Sequence, residues 1–230
     1  MDPKTALIVG TGAGLSASLA RLFASKGLQV AMASREPDKL RKLAEETAGA
    51  TFACEATEPE EVAALFDVVL ATQGVPDIVV YNASARARGP VTELDPAEVA
   101  RAIAVSGYGG FLVAQQAARH MVPRGSGAIL LTGASASVKG YPNSSAFAMG
   151  KFALRGLAQS LARELAPKGV HVAHFVIDGG IRSAARPDPA DKPDSTLDPD
   201  AIAQTYWQVA TQPRSAWSWE VELRPWVETF

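Results

Sequence analysis

The sequence predicts an α/β fold: a three-layer, doubly wound parallel sheet in a single domain spanning residues 1–230. Three observations carry this. Short β-rich runs alternate with helical stretches from the N-terminus onward. Each strand segment is nearly all apolar, as required when helices cover both faces of a sheet. A chain of 230 residues can bury one sizeable core without dividing.

In order along the chain, Ala6–Val9 reads as a strand and Leu15–Ser25 as the helix that follows it. Gln29–Ala33 with Pro37–Thr47, and Thr51–Cys54 with Pro59–Thr72, repeat the unit. Ile78–Tyr81 is a strand that leads into a long helical region, Pro96 to His120. Ala128–Leu131 is the next strand, Ser145–Ala166 a long helix rich in Ala and Leu, and His171–Ile177 a further strand. Composition then changes. The segment Ala185–Asp200 holds Pro187, Pro189, Pro193 and Pro199 among several Asp residues, and is expected to be irregular and partly mobile, a lid or a connection. Pro199 suits the first turn of a closing helix, with Asp198 as its cap, running to about Ala210. Trp217–Leu223 alternates large apolar with polar residues, the period of a strand with one solvated face, and is placed at the sheet edge.

Charge is close to balanced, net -2 from 22 basic and 24 acidic residues. That argues against a nucleic-acid surface and favours small-molecule chemistry. The apolar run after Met1-Asp2-Pro3-Lys4 is too short for a secretory h-region and no later stretch reaches membrane-spanning length, so a cytoplasmic protein without membrane partners is expected. The single cysteine, Cys54, sits in apolar surroundings as an inert buried thiol; it can build neither a disulfide nor a metal site, and no metal is expected. His120, His171 and His174 show no acidic partner pattern and read as structural.

Two stretches carry nucleotide chemistry. After the first strand comes Gly10-Thr11-Gly12-Ala13-Gly14-Leu15-Ser16, opening directly into a helix. Such glycines let the backbone approach a pyrophosphate, whose charge the helix N-terminus stabilises; the same turn can also serve merely to pack a helix on a strand. The second strand ends at Ser34-Arg35. An acidic residue there would bond an adenosine ribose, whereas a small hydroxyl followed by Arg leaves room and positive charge for a 2′-phosphate, so NADP(H) is favoured over NAD(H).

These stretches, with others, resemble the short-chain dehydrogenases/reductases. Gly10-x-x-x-Gly14 resembles that family's Thr-Gly-x-x-x-Gly-x-Gly turn, with Gly12 inside it, Leu15 following, and Ser16 standing at the last Gly. Tyr81-Asn82-Ala83-Ser84 is similar to its Asn-Asn-Ala-Gly. The resemblance implies that Asn82 steadies the sheet centre and that Ala83 and Ser84 lie along the adenosine ribose. Cys54-Glu55-Ala56 falls where the family has Asp-Val, which implies an adenine contact at Glu55 and Ala56. Asp178-Gly179-Gly180-Ile181-Arg182-Ser183 is similar to Pro-Gly-x-Val-x-Thr, implying that Ile181 and Ser183 hold the nicotinamide carboxamide. The resemblance spans roughly residues 5–185 and implies a Rossmann-type fold.

The same resemblance locates the proton chemistry. Members use a Tyr as acid, a Lys that lowers its pKa and binds the nicotinamide ribose, a Ser that orients the carbonyl and an Asn on the proton relay. Lys151 stands at the Lys position. The Tyr position, four residues earlier on the same helix face, is Phe147, which has no proton to give. Ala134 falls at the Ser position, where Ser135 substitutes only with a one-residue shift, and Ser106 falls at the Asn position. Tyr141, in the loop before the helix, is the best of the candidate replacement acids, although a wall of the substrate pocket is the reading it suits better. The expectation is an NADP(H)-dependent oxidoreductase acting on a small carbonyl or alcohol with a non-standard proton source; the alternative is an NADP(H)-binding pseudoenzyme serving as sensor or partner subunit. Small residues on the helices Pro96–His120 and Phe147–Ala166 suit the pairing by which the family forms dimers, so a homodimer or homotetramer is expected, though internal packing would use the same residues.

Overall fold

Apolar side chains alternate between the two faces of each strand, and that alternation builds two cores. In the computed structural model, which describes residues 2–228, all seven strands join one parallel sheet. They are β1 (Thr5–Val9), β2 (Gln29–Ser34), β3 (Ala50–Ala53), β4 (Ile78–Tyr81), β5 (Gly127–Thr132), β6 (Val170–Ile177) and β7 (Glu220–Leu223), in the order β3-β2-β1-β4-β5-β6-β7. One face, with Ile8, Met32, Val80, Leu130 and Phe175, packs on α1 (Leu15–Ser25) and α7 (Pro199–Ala210). The other, with Leu7, Ala33, Val79, Ile129 and Val172, packs on α3 (Pro59–Gln73), α5 (Gly109–Arg124) and α6 (Ser145–Leu165). The predicted three-layer, doubly wound architecture is therefore the one observed. The chain direction of growth reverses between β1 and β4, and a crevice opens there at the carboxyl ends of the strands.

Element boundaries follow the sequence closely: α1, β4 and α7 begin and end where expected, and Asp198 caps α7 by accepting from the Asp200 N–H at 2.8 Å. The expected helix Pro96–His120 departs in two ways. It is α4 (Pro96–Ile103) and α5 joined by a π-helical segment, Ala104–Tyr108, and it continues to Arg124 through Pro123. The widened turn holds Ser106, fully buried against α6. Of the small residues on these helices, Ala102, Ala114, Ala117 and Ala158 are spent on internal packing.

The tail strand is shorter than its alternation suggests. Only Glu220–Leu223 pairs with β6, because Trp217 turns back to stack on His171, ring centroids 4.7 Å apart. The pairing also supplies what the sequence did not show for histidine: Glu220 lies in register with His174 and bonds its Nδ1 at 3.1 Å while binding Arg155 at 2.6 and 2.8 Å. Both histidines stay structural, His171 through Nε2–H to the Ser218 carbonyl at 2.8 Å. Burial lowers the His174 pKa to about 4 despite Glu220.

From Ala185 to Asp198 there is no helix or strand, as expected, α7 taking up Pro199 and Asp200, but the segment is fastened. Asp188 accepts from the Asp194 and Thr196 N–H groups, the Thr196 hydroxyl and Arg182, and Arg182 also pairs with Asp198. Among the described residues no helix is long and apolar enough to cross a membrane, and no cluster of His, Cys, Asp or Glu could hold a metal ion.

Candidate active site

Two cavities share Asn82 and Ser84 and together form one cleft across the crevice between β1 and β4. The larger, about 440 Å³, is lined by the turn after β1, the end of β2, the end of β3 and the start of the loop after β4.

That turn is shaped by main-chain constraints. Gly10 has φ +85°, and a Cβ there would collide with the main chain of Ala83, so only glycine lets the turn pass beneath the β4 loop. The Gly10 and Thr11 N–H groups both donate to the Ala33 carbonyl, at 3.0 and 2.9 Å, tying the turn to β2. Ser16, which takes the place of a further glycine, donates to the Gly10 carbonyl at 3.1 Å and accepts from Asn82 Nδ2 at 2.7 Å. Asn82 thus locks the turn to β4, at the centre of the sheet as implied. Helix α1 begins at Gly14 with no side-chain cap and no acidic residue in its first turn, so its N-terminal N–H groups are left for an anion.

Of the sequence-predicted cofactor residues, Gly10, Gly12, Ser34, Arg35, Glu55, Ala56, Asn82, Ala83 and Ser84 line this cavity. Gly14 and Leu15 do not: Gly14 precedes the helix, and the Leu15 side chain is buried in the core beneath α1. Sequence reading missed Lys39, on the 3-10 turn after β2, and Arg101, on α4, which also line it and are brought there only by the fold. The Ser34 hydroxyl is buried without a hydrogen-bond partner, next to the exposed Arg35 guanidinium, 4.0 Å from Glu55. An orphaned hydroxyl costs on the order of 1–3 kcal/mol, which a polar ligand would relieve. With the main-chain cradle, it makes the cleft fit a phosphorylated nucleotide. Cys54 stays inert, its thiol pushed up to about 12 by burial.

The second cavity, about 370 Å³, holds the positions that the resemblance assigns to the reaction end. Lys151 from α6 reaches it while 2% exposed, donating Nζ–H to the Thr132 carbonyl at 2.7 Å; the Thr132 hydroxyl in turn accepts from Tyr206 at 2.9 Å. Burial, then the nearby Arg86, lowers the Lys151 pKa to about 7. Phe147, one turn earlier, also lines the cavity, its ring centroid 5.9 Å from Lys151 Nζ. Ile181 and Ser183 stand on the opposite wall.

Three expected proton-handling residues are elsewhere. Ala134, and not Ser135, lines the cavity, because the chain turns into a short 3-10 segment at Ser135. Ser106 is fully buried behind the wall, its hydroxyl 3.5 Å from the Ala85 N–H. Tyr141 is 44% exposed and does not line the cavity. What the sequence did not single out is Arg86, whose guanidinium lies 4.1 Å from the centroid of the Phe147 ring.

Comparison with known proteins agrees with this geometry. The model for the family described as short chain dehydrogenase matches residues 4–190. The chain is 28% identical over 231 residues, 98% of each chain, to an uncharacterized oxidoreductase of Staphylococcus aureus (strain N315). Among solved structures, a short-chain dehydrogenase from Rhodopseudomonas palustris is 33% identical with a TM-score of 0.84, covering 97% of this chain and 99% of that one. A metagenomic short-chain oxidoreductase in complex with NADP is 27% identical with a TM-score of 0.85 over 98% of both chains.

Proposed function

The chain belongs to the short-chain dehydrogenase family, and we propose that it is an NADP(H)-dependent oxidoreductase interconverting a small carbonyl compound and its alcohol, with Lys151 in place of a phenol as the proton-handling group. The observation that carries this reading is the continuity of one cleft from the Gly10 turn and Ser34-Arg35 to Lys151 and Ser183. The oxidoreductase names of the relatives favour an enzyme over a nucleotide-binding subunit without chemistry.

The Gly10–Gly14 turn and the uncapped start of α1 hold the pyrophosphate. Ser34 and Arg35 hold the 2′-phosphate, with Lys39 nearby, while Glu55 and Ala56 face the adenine. Ile181 and Ser183 orient the nicotinamide, and Lys151 holds its ribose. When bound, the cofactor supplies or accepts a hydride at the end of the cleft lined by Phe147. Lys151 then holds or releases a proton at Nζ, and its pKa near neutrality lets both forms be populated at pH 7.

Thermal shift and fluorescence quenching with NADPH against NADH test the cofactor reading. NADPH is expected to bind more tightly by about tenfold or more, and Arg35→Asp to abolish that preference; stabilisation by NADH alone refutes it. We further propose a homodimer or homotetramer formed through α5 and α6 and the segment before α5, which leave Phe111, Met149, Phe152 and Tyr108 exposed. Light scattering after size exclusion checks this, and a monomer at micromolar concentration refutes it.

A further inference from the structure

The reaction-end cavity is lined by three cations, Arg86, Lys151 and Arg186, and by no Asp or Glu. Lys151 is accounted for by its bond to Thr132. The two arginines are not. Among the described residues neither guanidinium has an ion-pair or hydrogen-bond acceptor, although neighbouring Arg182 is shared among Asp188, Asp194 and Asp198.

Both are nonetheless positioned. The Arg86 guanidinium lies over the Phe147 ring, 4.1 Å from its centroid, a contact that uses none of its N–H donors in a hydrogen bond to an acceptor. Arg186 is held at its backbone by reciprocal bonds with Ser183, both 3.0 Å, and its side chain lies over Gly180, where an added Cβ would stand 2.8 Å from Nη1. Each costs something to hold there. Burial and the like charges of Arg88 and Arg186 lower the Arg86 pKa.

Two guanidinium groups with unused donors, lining one cavity that no carboxylate lines, have the chemistry of an anion receptor. We propose that Arg86 and Arg186 form an anion subsite beside Phe147, so that the substrate carries a carboxylate or phosphate close to its reacting carbonyl or carbinol carbon. This rests on the oxidoreductase reading of the same cavity. On this account Phe147 has a positive role: its ring is the platform on which Arg86 is presented. The Gly10 turn and its own cations, Arg35, Lys39 and Arg101, belong to the other cavity, so nucleotide phosphates have a separate place.

Two matched pairs of carbonyl compounds distinguish the anions: 2-oxobutyrate with its methyl ester, and dihydroxyacetone phosphate with dihydroxyacetone. Wild type is expected to favour the anion of at least one pair, with the carboxylate pair or the phosphate pair identifying the class. Arg86→Gln and Arg186→Gln should each lower kcat/KM for that anion about 10- to 100-fold through KM and leave the Kd for NADPH unchanged, while the neutral partner loses far less, its change with Arg86→Gln being a shift in pH profile as Lys151 loses a neighbouring charge. Arg86→Lys should restore part of the loss. A second arm needs no turnover: phenylglyoxal modification, read by peptide mass spectrometry, should be slowed at Arg86 and Arg186, and not at Arg88, by oxalate or methylphosphonate. Equal use of charged and neutral partners overturns the proposal, as does a raised Kd for NADPH with the anion preference intact, which would make the arginines cofactor ligands. Should NADPH not bind at all, the oxidoreductase reading fails, and the labelling arm alone decides the subsite: absence of protection sinks it.

Discussion

Replacing Lys151 by Met keeps the length of the side chain and removes its charge, and the consequence can be worked from the burial of the ammonium. Its pKa falls from 10.5 to about 7 on folding, chiefly through burial and then through the positive charge of Arg86. At about 1.36 kcal/mol per unit, that shift corresponds to about 5 kcal/mol of destabilisation at pH values where the ammonium is present in both states. The unfolded chain binds more protons than the native one between about pH 7 and 10, so stability rises with pH across that window. From pH 6 to pH 9 the gain is about 3 kcal/mol. His174 contributes mainly at more acid pH, since its native pKa lies near 4, and the loss of the Lys151 charge, one of the smaller causes lowering it, changes that contribution only slightly. Urea unfolding at pH 6, 7, 8 and 9 should show the rise in wild type and its absence in Lys151→Met. The same titration should appear in the pH profile for carbonyl reduction, which needs the ammonium: kcat/KM falls above about pH 7, and alcohol oxidation shows the opposite limb. Parallel stability curves for the two proteins would refute the buried ammonium. A flat rate profile through pH 6–9 would remove Lys151 from the proton step.

Three other outcomes test separate parts of the structure. Phe147→Tyr places a phenol between Lys151, 5.9 Å from the present ring centroid, and Arg86, 4.1 Å from it; two cations stabilise its anion, and kcat/KM at pH 7 should rise about 100-fold, an unchanged rate counting against chemistry at this cavity. Gly10→Ala meets both a φ of +85° and the main chain of Ala83, so denaturant unfolding should show a loss of at least about 2 kcal/mol; a loss under about 0.5 kcal/mol would mean the turn is free to move. Glu220→Gln removes the carboxylate bound by Arg155 and His174, partly exposed on the Arg155 side, and should cost about 1–3 kcal/mol in Tm-derived stability, with near-neutral behaviour showing that β7 docks without it.

The layers of the fold were legible because each rests on a local rule. Apolar runs marked the strands, Asp198-Pro199 marked the start of α7, and the glycines after β1 marked the turn. Much of the lining of the larger cavity was legible for the same reason, being built from main chain and from residues adjacent to strand ends. The rest depends on distant partners. Glu220 meets His174 and Arg155 only because β7 docks beside β6, at separations of 46 and 65 residues. Arg86 was hidden in an irregular loop whose path is fixed by tertiary packing, and no local pattern announces a guanidinium on an aromatic ring. Ser135 shows the sensitivity of such inferences: a one-residue offset at the end of a strand turns a hydroxyl away from the cavity that Ala134 faces.

The changes at the reaction end are not a uniform decay of the site. A site losing function without replacement would accumulate substitutions that disturb packing, yet Phe147 keeps an aromatic ring, 8% exposed, and differs from the resembled acid by one oxygen. Lys151 keeps its bond to Thr132 although holding a buried ammonium is costly, and a chain with no use for that charge would gain stability by discarding it. Beside them Arg86 spends the ring face that a bare phenylalanine offers. The cavity therefore offers an apolar platform, a cation with unused donors and a lysine whose pKa burial lowers. Those properties favour binding an anion and moving a proton by way of an amine, the chemistry proposed above for this cavity.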